Sequence, residues 1–153
     1  MKGVELKRID ENNNGETTKM PKLILTIKDV KEPEMVLSKA KEIMKAVSQF
    51  AYTNTWPDDE EWKTILPLWF VESMTKKTLK EIMSIKGQWH FESWAANIKD
   101  RGWLWYSSKI EKNEITILFE LVDLPILIET MEYVFYAQGI PMQNISNIDE
   151  AYI

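Results

Sequence analysis

Residues 103–122 read WLWYSSKIEKNEITILFELV, and this stretch decides the fold because it predicts two strands joined by a short turn. In its second half, apolar side chains occupy every other position, which is typical of a strand that buries one face. These apolar positions are Ile115, Ile117, Phe119 and Leu121. Lys112 and Asn113 separate the two halves, and asparagine tolerates the left-handed backbone of tight turns. The sequence therefore predicts a hairpin of strands Trp103–Ile110 and Glu114–Val122.

Two more strands are predicted near the N-terminus. Met1–Ile9 alternates charged and apolar residues, which would place Val4 and Leu6 on one face of a short strand. In Lys22–Lys28, the residues Leu23, Leu25 and Ile27 alternate with Ile24 and Thr26, which predicts a second strand. Residues 10–19 lie between them and contain the run NNNG, which is typical of a turn, so they are predicted to form a flexible loop. The two strands are expected to pair across this loop.

Helices are predicted between the two groups of strands and after the second. From Pro33 to about Tyr52, apolar residues recur at spacings of three and four, which indicates an amphipathic helix of about five turns. Short helices are predicted to start at or near Asp58, Pro67, Lys76 and Phe91, and a last helix is predicted from Asp123 and Pro125 to Gly139. Residues 140–153 show no strong period, and they either add an edge strand or form a loose tail.

This order of elements favours the α+β class, since strands and helices are segregated along the chain. The predicted fold is a small antiparallel sheet, made of the N-terminal strands and the 103–122 hairpin, packed against one long helix, several short helices and a C-terminal helix. A chain of 153 residues without repeats or a linker is the size of one domain, so residues 1–153 are predicted to form a single domain.

The composition indicates a protein of a reducing compartment. The chain contains no cysteine, which excludes disulfides and thiolate chemistry. Met1–Asp10 lacks the apolar run of a signal peptide. The longest strongly apolar stretch, Leu121–Ile128, is far shorter than the roughly 20 residues that a membrane span requires. We therefore expect a cytoplasmic protein that does not associate with membranes.

The charge is acidic and unevenly distributed. The formal net charge is −5, and between Ile110 and Ile153 eight acidic residues occur with a single basic residue, Lys112. This balance argues against nucleic acid as a partner, because affinity for nucleic acid depends largely on neutralising phosphates. It is compatible with a protein partner that is basic.

The sequence lacks the motifs of covalent, metal and nucleotide chemistry. His90 is the only histidine, and without cysteine it cannot complete a zinc site of the usual types. The acidic run Asp58–Glu61 lacks the glycine and the spacing of a calcium loop, so it is interpreted as the first turn of a helix. No serine lies in a Gly-x-Ser-x-Gly elbow, and no glycine-rich phosphate loop occurs. We expect no catalytic residue, no metal and no cofactor.

The acidic C-terminal third carries the first functional hypothesis, a non-enzymatic module that binds a basic protein. One concrete form of it is an immunity-type inhibitor that masks a basic toxin or nuclease, an analogy of size and charge alone. The candidate partner-binding residues are Glu111, Glu114, Glu120, Asp123, Glu129 and Glu132. The alternative for these residues is that they only solvate an exterior face.

The density of tryptophan carries a second hypothesis, a small-ligand-binding protein or an enzyme with an aromatic pocket. The candidate pocket residues are His90, Arg101, Trp103, Trp105 and Tyr106. Stacked indoles can bind a sugar, a base or a cation. The alternative is that they fill the core, since large aromatic side chains usually do so.

A third hypothesis concerns assembly. Tyr133, Phe135 and Tyr136 cannot all face one core from a single helix, so some aromatic surface is expected to remain for a partner or a second copy. The sequence leaves both a monomer and a homodimer open.

Overall fold

A computed structural model describes residues 3–50, 55–75 and 91–149. Its helices, in chain order, are α1 (Val4–Glu11), α2 (Pro33–Phe50), α3 (Asp59–Ile65), α4 (Leu68–Thr75), α5 (Phe91–Lys99), α6 (Glu129–Tyr136) and a 3-10 turn (Met142–Asn144). Its strands are β1 (Lys22–Ile27), β2 (Trp103–Glu111), β3 (Glu114–Leu121) and β4 (Ile145–Asp149). The predicted α+β fold with a small antiparallel sheet is confirmed.

The predicted hairpin forms one half of a four-stranded antiparallel sheet with the order β2-β3-β1-β4. Trp103 pairs with Leu121 and Trp105 with Phe119, and the register then shifts at a bulge between Trp105 and Ser107. The two-residue turn differs from the expectation in one detail. Lys112, rather than the asparagine that follows it, adopts the left-handed backbone, with a φ of 55°.

The core lies on one face of this sheet. Leu23, Leu25 and Ile27 of β1 are buried at alternate positions and pair with Phe119, Ile117 and Ile115 of β3, which are fully buried. The apolar faces of α2, α5 and α6 contribute to the same cluster of buried residues. Alternation along the strands and three-to-four spacing along the helices therefore meet in one hydrophobic core.

The prediction of an N-terminal strand at Met1–Ile9 is wrong. Described from residue 3 onward, this segment forms α1, in which Glu5 and Ile9 are buried at the helical spacing of four. The helix packs against β2 and α2, and β1 finds its partners in β3 and β4 instead. Alternation over a few residues does not distinguish a strand from a helix. Val4 and Leu6 suggested one face of a strand, but in α1 Val4 is exposed and Leu6 is half-buried.

The segment after α1 covers the free edge of β2. Gly15 N–H donates to the carbonyl of Ser108 at 3.1 Å, and Ser108 N–H donates to the carbonyl of Asn12 at 3.0 Å. The Ser107 hydroxyl donates to the carbonyl of Glu16 at 2.7 Å. These bonds occupy backbone groups that an uncovered edge strand would expose.

The helices between β1 and β2 follow the predictions closely. The long helix is described from Pro33 to Phe50, and α4 and α5 occupy the predicted segments. The acidic run opens α3 through a capping box, in which Asp58 accepts from Glu61 N–H at 2.8 Å and Glu61 accepts from Asp58 N–H at 3.1 Å. The helix predicted from Lys76 lies outside the described residues.

The last helix begins at Glu129, later than the predicted start at Asp123 and Pro125. Residues 122–127 instead fold back over Gly102, whose N–H donates to the carbonyl of Ile126 at 3.3 Å. The apolar face of the last helix is as predicted. Four residues of this face are buried, namely Ile128, Met131, Val134 and Phe135. In the C-terminal tail, β4 pairs with β1 at the edge of the sheet opposite β2.

A buried ion pair connects α1 to β2. Both Nη atoms of Arg101 donate to the Glu5 carboxylate, at 2.6 and 2.7 Å, and Trp105 N–H donates to it at 2.8 Å. Arg101 also donates to the carbonyl of Trp103 at 3.2 Å. The two charged side chains are 3% and 5% exposed, so each depends on the other for neutralisation.

The variant Glu5→Ala should destabilise the protein strongly. It leaves the Arg101 guanidinium buried without its counter-charge, so the free energy of unfolding should fall by about 3–5 kcal/mol. Urea denaturation followed by tryptophan fluorescence measures this loss. The matched control Glu11→Ala, at the exposed end of the same helix, should change the free energy by less than about 0.5 kcal/mol.

Adding Arg101→Met to Glu5→Ala removes the orphaned charge and should restore part of the lost stability. A Glu5→Ala variant as stable as the Glu11→Ala control would contradict the role given to this pair.

Candidate functional site

The six predicted partner-binding acids do not form one surface. Glu111 and Glu114 flank the hairpin turn, whereas Asp123 follows the other end of β3. The seven residue steps from Glu114 to Leu121 span about 23 Å in a strand. The structure therefore separates the acids of the hairpin tip from those near α6.

Glu120 is part of the interior rather than of the surface. Its side chain is 12% exposed and accepts from Arg8 of α1 at 2.6 Å. Its other oxygen accepts from the Thr18 hydroxyl at 3.0 Å. These contacts hold α1 and the following loop against β3, so this carboxylate is already occupied within the chain.

The remaining three acids belong to residues 122–136, which we call the acidic segment. Asp123 and Glu129 are exposed, and Glu132 is half-buried. None of the three lies in an ion pair with another described residue. Within the described part of the chain, the Asp123 carboxylate accepts from the N–H of the next residue alone, at 2.8 Å. This segment therefore presents negative charge that the described part of the chain leaves uncompensated.

Glu129 and Glu132 are three residues apart in the first turn of α6 and face the same side of the helix. Burial raises the pKa of Glu132 above its ordinary value of 4.5, and the nearby Glu129 carboxylate raises it further. Ionisation of Glu132 is therefore disfavoured in the isolated chain, although the helix dipole offsets part of the repulsion from Glu129. A cation docked between the two carboxylates would relieve the repulsion.

Apolar side chains are exposed within the same segment. Val122 is 51% exposed, Leu124 is 74% exposed and Tyr136 is 38% exposed. Tyr136 follows Glu132 by one helical turn, so the two residues share a stripe of α6. Tyr133 and Phe135 are buried, whereas Tyr136 is exposed. This confirms the expectation that not all three aromatic residues of this helix face the core.

Gly102 determines the path of the loop that begins the acidic segment. A Cβ on this residue would lie 2.2 Å from the carbonyl oxygen of Asp123 and 2.5 Å from that of Pro125. The Gly102 carbonyl accepts from the N–H groups of Val122 and Asp123, at 2.9 and 3.2 Å. Only a residue without a side chain allows the two backbones to approach this closely.

The variant Gly102→Ala should displace this loop and lower the free energy of unfolding by about 2–3 kcal/mol, because the contacting atoms are backbone atoms that cannot rotate away. Urea denaturation measures the loss, and near-ultraviolet circular dichroism reports the environment of the adjacent Trp103. An unchanged denaturation midpoint would show that the loop adapts without cost.

The described residues of the predicted aromatic pocket lie in the core or against α1. Trp103 and Trp105 are fully buried and pack edge-to-face on Phe119, with ring centroids 4.7 and 5.8 Å apart. Arg101 is held by its ion pair and lies 4.9 Å from the centroid of the Trp103 ring. The two indoles thus fill the core, and no open face remains for a ligand to stack on.

Of the other two pocket candidates, Tyr106 is half-buried. The Arg8 guanidinium lies 4.5 Å from the centroid of the Tyr106 ring. His90 lies outside the described residues.

Sequence reasoning missed the apolar component of the acidic segment. It assigned Val122 to the hairpin strand and Leu124 to the start of a helix, both of which are ordinary positions for apolar residues. The available signal was Pro125, which disfavours helical backbone at the residue before it and so indicates a loop around Leu124. Apolar residues in a loop, next to an aspartate, indicate an exposed surface.

Metal-ligand clusters and membrane-spanning helices are absent from the described residues. No group of three or more His, Cys, Asp or Glu there could hold a metal ion. None of the helices in that part of the chain is long and apolar enough to cross a membrane. Comparison with protein-family models, curated proteins and solved structures finds no match to this chain.

The raised pKa of Glu132 predicts a pH-dependent stability. The folded chain binds this proton more tightly than the unfolded chain, so the free energy of unfolding falls as the pH rises from 4.5 through the raised pKa. Glu132→Gln replaces the carboxylate with a neutral amide and so removes the unfavourable charge. The variant should therefore be more stable than the parent at neutral pH.

The difference between Glu132→Gln and the parent should shrink near about pH 4, where the parent's carboxyl group is protonated. Urea denaturation at the two pH values measures it. A variant that is less stable than the parent at neutral pH would contradict the unfavourable environment described for Glu132.

Proposed function

We propose that this chain is a non-enzymatic module that binds a basic protein partner through the acidic segment, residues 122–136. The observation that carries the proposal is the uncompensated charge of Asp123, Glu129 and Glu132, beside the exposed side chains of Val122 and Leu124. The acids of this segment are used by no other described part of the chain, unlike Glu5 and Glu120.

The combination of charge and apolar surface suits a protein–protein interface. Charge complementarity accelerates the encounter of the two proteins and selects partners of the opposite sign. Burial of apolar side chains then supplies affinity at the centre of the contact. The Glu129–Glu132 pair adds to this selectivity, because lysine or arginine from a partner would relieve the repulsion between its two carboxylates.

A narrower form of the proposal is an immunity-type inhibitor, whose partner is a basic toxin or nuclease. Such an enzyme requires cationic groups to hold a phosphate-rich substrate, and an acidic surface of this kind would cover them. This form makes one additional claim, that binding abolishes the activity of the partner.

The proposal is tested with two triple variants that lose equal charge. The first, Asp123→Asn, Glu129→Gln and Glu132→Gln, neutralises the acidic segment. The matched control neutralises three exposed acids elsewhere in the described chain, Glu11→Gln, Glu16→Gln and Glu42→Gln. The parent chain and both variants are immobilised and exposed to an extract of the source cell, and any retained protein is purified and titrated.

A retained basic protein should bind the parent and the control equally, and its affinity for the first variant should fall by roughly tenfold or more. Its affinity for the parent should also fall with rising salt, since screening weakens exposed charge pairs. A partner that binds both triple variants equally, or one insensitive to salt, would refute the assignment of this surface.

A further inference from the structure

A cleft of about 400 Å³ lies on the side of the molecule formed by the first half of α2, the segment after α1 and the end of β2. This volume is within the range of about 300–1,000 Å³ typical of small-molecule sites. The lining residues that matter here are Asn13, Leu37, Ser38, Lys41, Lys109 and Ile110. They combine two ammonium groups, a hydroxyl and an amide with two apolar side chains.

Lys41 is the distinctive member of this set. It is half-buried, and it lies in no ion pair with a described carboxylate, whereas Lys45, one turn further along α2, is paired with Asp10. Burial lowers the pKa of the Lys41 ammonium, and the charge of Lys45 lowers it further, with only Asp10 opposing. An anion in the cleft would offset both unfavourable effects.

The wall of the cleft opposite α2 is held in place by hydrogen bonds. The side-chain oxygen of Asn13 accepts from Lys41 Nζ and, at 3.3 Å, from the hydroxyl of Ser108. The side-chain nitrogen of Asn13 donates to the carbonyl of Asp10 at 3.0 Å. Gly15 has a φ of 70°, and its Cα packs against the Lys109 side chain so closely that a Cβ would lie 2.8 Å from Cδ. The polar groups are therefore positioned before any ligand arrives.

We propose that this cleft binds a small organic anion whose oxyanion, a carboxylate or a phosphate ester, is held by Lys41 and whose apolar body rests on Leu37 and Ile110. The Ser38 hydroxyl supplies a further donor; Lys109 also lines the cleft, and its ammonium lies 3.1 Å from the Glu111 carboxylate. Glu34 also lines the cleft and Glu111 offsets the charge of Lys109, so the cleft favours a ligand of low charge. The site involves no residue of the acidic segment, and its existence is independent of the proposed protein partner.

The experiment is a titration of the ¹⁵N-labelled chain with four defined probes, namely benzoate, phenyl phosphate, inorganic phosphate and benzylamine. The two aromatic anions should shift the backbone amide signals of Asn13, Ser38 and Lys109 saturably. Inorganic phosphate should bind more weakly because it lacks the apolar body, and the cation benzylamine should not bind. The comparison of benzoate with phenyl phosphate distinguishes the two classes of oxyanion.

Three single variants test the role of Lys41. Lys41→Gln removes the charge and should weaken binding of the better aromatic anion by about tenfold, while Lys41→Arg keeps the charge and should bind within about threefold of the parent. The matched control Lys99→Gln, an exposed lysine at the end of α5, should bind as the parent does. Far-ultraviolet circular dichroism verifies that each variant is folded.

Two results would overturn the proposal. One is the absence of saturable binding by any of the three anions. The other is equal affinity of Lys41→Gln and Lys99→Gln, or equal loss of affinity in Lys41→Gln and Lys41→Arg, since either outcome removes the charge of Lys41 from the recognition.

Discussion

Inside the protein, the Glu5 carboxylate accepts a hydrogen bond from the backbone of β2, the edge strand of the sheet. Much of the remaining structure depends on this contact. The carboxylate neutralises Arg101 and accepts the N–H of Trp105, while Arg101 donates to the carbonyl of Trp103. An edge strand that carries two buried tryptophans would otherwise expose unpaired backbone groups beside its apolar face. With α1 and the loop after it in place, the hairpin is covered on that side, and the opposite edge is occupied by β4.

In this arrangement, some acidic residues form ion pairs within the fold and others do not. Glu5 and Glu120 join α1 to the hairpin through Arg101 and Arg8, so these charges stabilise the fold and are not available to a partner. The acidic segment beyond β3 is left without ion pairs among the described residues. The same division applies to lysines of α2, where Lys45 has a carboxylate partner and Lys41 faces the cleft. Both proposed binding sites therefore use charges that the described part of the fold leaves without an ion pair, namely Lys41 and the acids of the acidic segment.

Local patterns were sufficient for most of the elements. Alternation predicted β1 and the hairpin, three-to-four spacing predicted α2, and the acidic run predicted the start of α3, because each of these signals depends on residues within one or two turns. The buried face of α6 was predicted for the same reason. Its start was not, because residues 122–127 follow a path determined by the close approach of Gly102. The candidate site was predicted in part: the acidic C-terminal third was recognised, and its division into separate groups was not.

By itself the sequence determined the class of fold, the faces of the helices and strands that enter the core, and the excess of acid near the C-terminus. Only the tertiary structure decided that the first segment is a helix, which carboxylates are consumed internally and which side chains meet in the cleft. The reason is the separation of the interacting groups along the chain. Glu5 and Arg101 are 96 residues apart, and Arg8 and Glu120 are 112 residues apart. No local pattern records such a pairing, and it exists only once the hairpin and α1 have packed together.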